Sequence, residues 1–274
     1  MTPSCSTKIR LGWVTDIHLD QASSRSKERW MTSLRQSGID QLLLTGDISN
    51  SKDLLPRLGD LHSRLAIPIR FVLGNHDYYG SSIEEVRSAT NHFCEKREGL
   101  SYLGSCSPIP LTDRTVLIGC DGWADARFGT YAKTTVRLND FLQIENLRGL
   151  DHKSLGLRLQ ELGDKEADSL QKHLQAVLPR FRHLIILTHV PPFEEACWYQ
   201  GKAGHPDWSP FFSCWATGNL LRKTFMKYPR HHATVLCGHT HYAGVARILP
   251  NLIVRTGRAI YRQPEIQDPI IEIW

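Results

Sequence analysis

Five short polar clusters in this chain carry side chains able to bind metal ions. They are Asp16-Ile17-His18, Gly46-Asp47, Gly74-Asn75-His76-Asp77, the single His189, and Gly238-His239-Thr240-His241. Each follows an apolar run of strand-like composition. Carboxylates and imidazoles at the buried ends of strands are costly to desolvate unless a counter-charge meets them, and a metal ion is the usual one. The mixture of imidazole, carboxylate and amide donors suits manganese, iron, zinc or cobalt better than magnesium or calcium, which prefer shells of oxygen alone. One Asp or His at a strand end is more often a plain loop residue. The whole set, in this order, supplies enough donors for two ions.

The elements that position these residues alternate. Residues 9–15, 41–45 and 69–73 read as strands that end at Asp16, Gly46-Asp47 and Gly74-Asn75. Helical patterns cover 26–34 and a stretch from Ser51 or Asp53 to about Leu65. A third starts at Ser82, where Ser82 and Glu85 resemble a capping box, and runs to about Glu95. Asp16, Asp47 and Asn75 lie about 30 residues apart, enough for a strand, a crossover helix and a parallel return. In such sheets functional groups gather beyond the carboxyl ends of the strands. The second half predicts strands over 115–120, 183–188 and 233–237, helices over 136–147 and 155–178, and short strands over 252–256 and 270–273. His239 and His241 are two residues apart; an extended stretch would splay them, and a turn would aim both at one cavity. No repeat or low-complexity linker interrupts the chain, so residues 1–274 read as a single domain: two packed sheets with helices on both outer faces.

The ordered set D-x-H, GD, GNHD, H and GHTH resembles the calcineurin-like metallophosphoesterases, over Asp16 to His241. The resemblance implies an α/β fold: a four-layer α/β/β/α sandwich with two mixed β-sheets and a dinuclear metal site at the strand C-terminal ends. It implies two divalent or trivalent transition-metal ions. It places Asp16, His18 and His241 on the first, Asn75, His189 and His239 on the second, and Asp47 on both. The implied reaction is hydrolysis of a phosphodiester, or of a phosphomonoester, by a hydroxide shared between the ions. Two divalent ions, two aspartates and that hydroxide leave a charge of roughly +1 to attract phosphate, and the neutral amide of Asn75 helps keep it positive. His76 is the expected proton donor to the leaving oxygen, because an imidazole titrates near neutral pH. Asp77 either orients His76 or caps the turn.

Departures narrow the branch. The stretch Gly46-Asp47-Ile48-Ser49-Asn50 lacks the D-R-G extension of protein Ser/Thr phosphatases and dinucleoside tetraphosphatases, and has no tyrosine three residues after Asp47, unlike purple acid phosphatases. His76 stands where the lipid A pathway pyrophosphatases carry arginine. The remaining resemblance is to the bacterial-type phosphodiesterases. The competing readings are a metal-dependent nuclease and a non-catalytic scaffold of the same fold. Missing basic tracts and coiled-coil heptads weigh against the first, and filled ligand positions against the second.

The formal charge of +5 on 274 residues suits a small phosphorylated partner, nucleotide-like ones included, and gives no strong nucleic-acid signal. Seven scattered cysteines without a C-x-x-C pair, no signal-peptide pattern and no apolar run of membrane-spanning length lead to the expectation of a cytoplasmic protein with reduced thiols. Cys120 and Cys237 are expected in the core. Oligomeric state is left open. His62, His92, His152, His173, His183, His231 and His232 are expected at the surface or at strand edges. Segment 196–216, rich in Trp, Tyr and Phe, reads either as a lid that stacks on a flat group or as a loop packed by its own aromatics. Segment 121–127 is expected near the cleft, with Arg127 a candidate phosphate contact.

Overall fold

The apolar runs ahead of the polar clusters do become strands in the computed structural model, which describes residues 8–274. In chain order the elements are β1 (Ile9–Val14), α1 (Ser24–Gln36), β2 (Gln41–Thr45), α2 (Ser51–Leu65), β3 (Ile69–Val72), α3 (Ile83–Glu95), β4 (Leu100–Tyr102), β5 (Ile109–Pro110) and β6 (Thr115–Gly119). There follow α4 (Asp140–Gln143), α5 (His152–Val177), β7 (His183–Leu187), β8 (Trp198–Tyr199), β9 (Lys202–Ala203), α6 (Ser209–Phe212), α7 (Trp215–Lys227), β10 (His232–Cys237), β11 (Gly244–Leu249), β12 (Leu252–Thr256) and β13 (Ile271–Ile273). Polar side chains start the main helices. Ser23, Asn50, Ser82 and Asp151 each accept a hydrogen bond from a backbone N–H three residues on, satisfying one of the free donors of the first turn.

One sheet has the order β13-β1-β2-β3-β4 and the other β11-β12-β10-β7-β6-β5. Within the first, β1 to β4 are parallel and β13 returns antiparallel. Within the second, β6, β7, β10 and β12 are parallel while β5 and β11 close the edges antiparallel. Strand alternation then sorts the apolar residues into layers. Leu11, Trp13, Leu43 and Val72 face Leu117, Ile185, Leu187 and Leu236 between the sheets. Leu42, Leu44 and Phe71 point the other way, towards α1, α2 and α3. Ile186, Val235 and Val254 point towards α7. Helix α5 serves both outer layers: Leu155, Leu159 and Leu162 join one core and Leu170, Leu174 and Val177 the other. The expected four-layer sandwich of two mixed sheets is borne out.

The expected helix over 136–147 shrinks to the four residues of α4. The carbonyl of Gln143 accepts from Gly80 and the N–H of Glu145 donates to Ser81, so the backbone groups that would extend the helix are tied to a neighbouring loop. Edge strands β5 and β11 and the β8–β9 hairpin were not expected. Cys120 and Cys237 are fully buried. Of the histidines assigned to surface or strand edge, His183 and His232 stack at the starts of β7 and β10, as expected. His231 is instead 4% exposed, and its Nε2 lies 3.0 Å from the carbonyl of Leu178. Among the described residues no helix is long and apolar enough to cross a membrane.

Candidate metal centre

The loops beyond β1, β2, β3, β7 and β10 meet above the carboxyl ends of both sheets. To turn into the site so abruptly, Asp16, His18, Asp47, His239 and His241 all adopt left-handed backbone, with φ of 49°, 38°, 51°, 68° and 61°. Non-glycine residues rarely do so, and such strain collects at functional sites. The turn after β10 thus brings His239 and His241 to one cavity. Close approach of the loops also explains three glycines. A Cβ on Gly74 would lie 2.2 Å from Asp47 Oδ1, one on Gly46 2.6 Å from the Gly74 nitrogen, and one on Gly238 1.9 Å from Thr15 Oγ1.

Asp16, His18, Asp47 and His241 bring one donor atom each within 4.8 Å of one another. His18 Nε2 and His241 Nε2 are 3.4 Å apart, and His241 Nε2 is 3.3 Å from Asp16 Oδ1. Asp16 is held in place by the N–H of His239, 3.1 Å from each carboxylate oxygen. On the other side, His189 Nε2 lies 3.0 Å from Asn75 Oδ1 and 3.4 Å from Asp47 Oδ1. Asp47 reaches both groups: its second oxygen, Oδ2, is 3.8 Å from His18 Nε2. The His239 ring sits 5.0 Å from that of His189.

These donors fit a cation. His189 Nδ1 lies 2.8 Å from the carbonyl of Thr45, which only accepts, so Nδ1 carries the proton and Nε2 presents a lone pair. The amide nitrogen of Asn75 donates to Asp140 Oδ1 at 2.9 Å, which turns Asn75 Oδ1 towards that same lone pair. Three acceptors therefore face one another in a buried space, and a positive ion satisfies all of them. His239 is prepared in the same way: Nε2 donates to the carbonyl of Phe211 at 2.9 Å, leaving Nδ1 free. Holding the outer ring nitrogen of a histidine on a carbonyl is a common device for fixing a metal ligand.

The electrostatics agree. Burial first, and then the charge of Asp16, pushes Asp47 up, so its ionised form needs a partner. Burial would raise Asp16 too, but the hydrogen bond from His241 and the surrounding imidazoles prevail and hold it below the usual carboxylate range. Burial pushes His18 down to about 3, with repulsion from His76 next, and pushes His239 down to about 3, with repulsion from His189 next. Burial lowers His189 as well. Neutral imidazoles are the form that ligates.

His76 lies beside this group, with Nε2 3.9 Å from Asp47 Oδ2 and its ring stacked on Tyr79. It opens onto a cleft of about 800 Å³ walled by Tyr79, Leu138, Phe212, Tyr242, Arg258 and Tyr261. Asp77 makes no hydrogen bond to the His76 ring; it accepts from the N–H groups of Ile48, Ser49 and Gly74 and so binds two of the site loops together. Arg127 is diverted from the cleft by a two-pronged pair with Asp164 at 2.7 and 2.8 Å and a contact with Asp125. Within 196–216, Phe211 packs into the core against Tyr131 and Phe141, while Phe212 lies 4.4 Å from the His239 ring. Asp140, which holds Asn75 and accepts from Tyr79 at 2.6 Å, and Tyr261, 4.6 Å from the His18 ring, were missed from sequence. No local pattern marks either.

A four-layer sandwich with carboxylate, amide and imidazole donors at its strand tips is the architecture of metal-dependent hydrolases of phosphoric esters. This chain belongs to the calcineurin-like phosphoesterases, whose family model matches residues 9–243. Family membership carries metal-dependent phosphoester hydrolysis with it, and implies two metal ions. Among solved structures the chain is similar to a phosphopantetheinyl hydrolase from Mycobacterium tuberculosis, with TM-score 0.68 and 12% identity over 96% of this chain and 97% of that one. It is also similar to a protein of Thermus thermophilus, with TM-score 0.53 and 14% identity over 92% and 90%, and to a dimetal phosphatase from Danio rerio, with TM-score 0.51 and 13% identity over 90% and 86%. At such identities the likeness is one of fold. No curated protein matches the sequence.

Proposed function

We propose that this site hydrolyses phosphodiesters of small molecules, using one ion held by Asp16, His18, Asp47 and His241 and a second held by Asp47, Asn75, His189 and His239. The observation that carries this reading is the placement of Asp47, with one carboxylate oxygen towards His18 and the other towards His189. When bound, the two ions supply positive charge to the phosphoryl oxygens and acidify solvent. The donor set favours manganese, iron, zinc or cobalt.

The chain's own groups do the rest. Thr45 and Phe211 fix the tautomers of His189 and His239 through their carbonyls, and Asp140 fixes the Asn75 amide. His76, at the cleft face, donates a proton from its ring to the departing oxygen. Tyr261 beside His18 and His241, and Phe212 beside His239, put an aromatic wall at each half of the site. Walls at both halves support a phosphorus bearing two substituents, a diester rather than a monoester. Phe212 also supports reading 196–216 as a cover over the cleft. Among the described residues lining the cleft, Arg258 is the one permanent cation, which supports a small substrate over nucleic acid. Helix α5, shared by both outer layers, supports one domain over 1–274. Scattered cysteines, free in the described residues, support a reducing compartment, the cytoplasm.

The test compares bis- and mono-nitrophenyl phosphate as substrates for metal-reconstituted protein, with Asp47→Ala as control. The expected result is faster turnover of the diester and loss of at least about 10²-fold in Asp47→Ala. Preference for the monoester would make the protein a phosphomonoesterase, and activity indifferent to Asp47 would remove the shared-carboxylate mechanism.

A further inference from the structure

Beyond the family-matched residues the chain returns to the site. Residues 257–267 form a loop clamped at its base. The N–H of Arg258 donates to the side chain of Gln267 at 3.0 Å, and the Gln267 amide donates back to the Arg258 carbonyl at 2.9 Å. The Arg258 guanidinium pairs with both oxygens of Glu265 at 2.6 and 2.9 Å. The loop is also moored to the body. Gly257 N–H donates to Cys237, Gln267 N–H to Trp13 and Ala259 N–H to His241, and Ser26 Oγ donates to the Arg262 carbonyl. Arg262 takes left-handed backbone, φ 69°, just past the tip.

What this clamp presents is Tyr261. Its ring lies 4.6 Å from that of His18, 4.8 Å from that of His241 and 6.5 Å from that of His76, between centroids. It lines the cleft beside Asp47 and His76, it is 46% exposed, and its hydroxyl makes no hydrogen bond within the described residues. A loop held at so many points, setting a phenol with a free donor in the wall of the cleft beside the candidate ligands, is more than packing requires. A phenylalanine would cover the imidazole rings equally well.

We infer that Tyr261 is a substrate-contacting residue, its phenol donating a hydrogen bond to a phosphoryl oxygen of the bound ester. This rests on the phosphoesterase reading of the site. No covalent step involves the tyrosine; the donor stabilises negative charge on the phosphoryl group as that charge redistributes during displacement.

The test uses metal-reconstituted Tyr261→Phe and Tyr261→Ala beside the wild type. Metal stoichiometry, melting temperature, affinity for inorganic phosphate and the kcat and KM for bis-nitrophenyl phosphate are measured for each. Tyr261→Phe is expected to keep the metal content and melting temperature of the wild type, bind phosphate about tenfold or more weakly, and lose about tenfold or more in kcat/KM, as loss of one hydrogen bond to a charged group dictates. Tyr261→Ala is expected to weaken phosphate binding at least as much. Phosphate affinity and turnover of Tyr261→Phe equal to wild type would overturn the role, as would a loss explained wholly by missing metal. The two readings fail separately. Asp47-dependent turnover with a silent Tyr261→Phe leaves the hydrolase and removes the tyrosine. Phosphate binding that depends on the Tyr261 hydroxyl in a protein that hydrolyses no ester does the reverse.

Discussion

His76 shows what position does to a single side chain. Burial first, and then repulsion from His189, pushes its imidazole down to about 4, so in the protein without ligands it is neutral at pH 7. An acid catalyst must carry a proton when the ester is bound. The acid role therefore requires the negative charge of an arriving phosphate to raise the ring against its burial and against the neighbouring cations. His76→Ala is expected to retain both ions and lose about 10²–10⁴-fold in turnover of alkyl esters, with a much smaller loss for nitrophenyl esters, whose leaving group needs no proton. A series of aryl and alkyl phosphodiesters measures this; equal losses across the series would exclude an acid role for His76. The same scale contains Asp140, whose value lies in another residue: it holds the Asn75 amide so that the oxygen faces His189.

At the scale of elements, strands must end where their tips can turn sharply into a shared space. Five of the proposed ligands pay for this in left-handed backbone, at about 1–3 kcal/mol each. The glycines beside them allow neighbouring loops to touch. Gly238 is the tightest: a Cβ there would lie 1.9 Å from Thr15 Oγ1 and 2.1 Å from Asp16 Oδ2, both buried. Gly238→Ala must therefore displace Asp16 or the β10 tip. We expect a stability loss of about 1–3 kcal/mol or more in denaturant unfolding, typical of overpacking, with weakened retention of the ion at Asp16. A variant with wild-type stability and full metal content would show that the loops adjust freely.

Across the whole molecule, the two sheets are joined at the site end by Asp121, which follows β6. Its carboxylate accepts from the Leu73 N–H at the tip of β3 at 2.9 Å, from the hydroxyls of Tyr78 and Tyr102, and from Arg87 Nε of α3 at 2.9 Å. Arg87 continues to Glu166 on α5 at 2.5 Å, and Glu166 accepts from Gly122 at 3.1 Å. The network links both sheets and two helices under the metal loops. Removing the carboxylate leaves the buried donors unpaired, and Asp121→Ala is expected to destabilise by about 3–5 kcal/mol, read from equilibrium unfolding. A loss under about 1 kcal/mol would mean that the sheets are held by the Leu117, Ile185 and Leu187 layer alone.

The strands ending at Asp16, Asp47, Asn75, His189 and His239, the donor types beyond them and the layered α/β architecture were all legible in the sequence. Apolar periodicity and strand-end chemistry are local, and five clusters in fixed order constrain one another. The apolar spacing over 136–147 predicts a helix, but the loop at 80–81 captures its backbone and leaves only four helical residues. Arg127, available to phosphate on composition, is occupied by Asp164, 37 residues away. Tertiary structure alone decided which oxygen of Asp47 faces which histidine, that Asp140 orients Asn75 across 65 residues, and that a tyrosine near the end of the chain stands over His18. Local sequence fixes which groups a strand delivers to its tip. Which lone pair meets which proton there is set by contacts between segments far apart in the chain, and those exist only once the two sheets have packed.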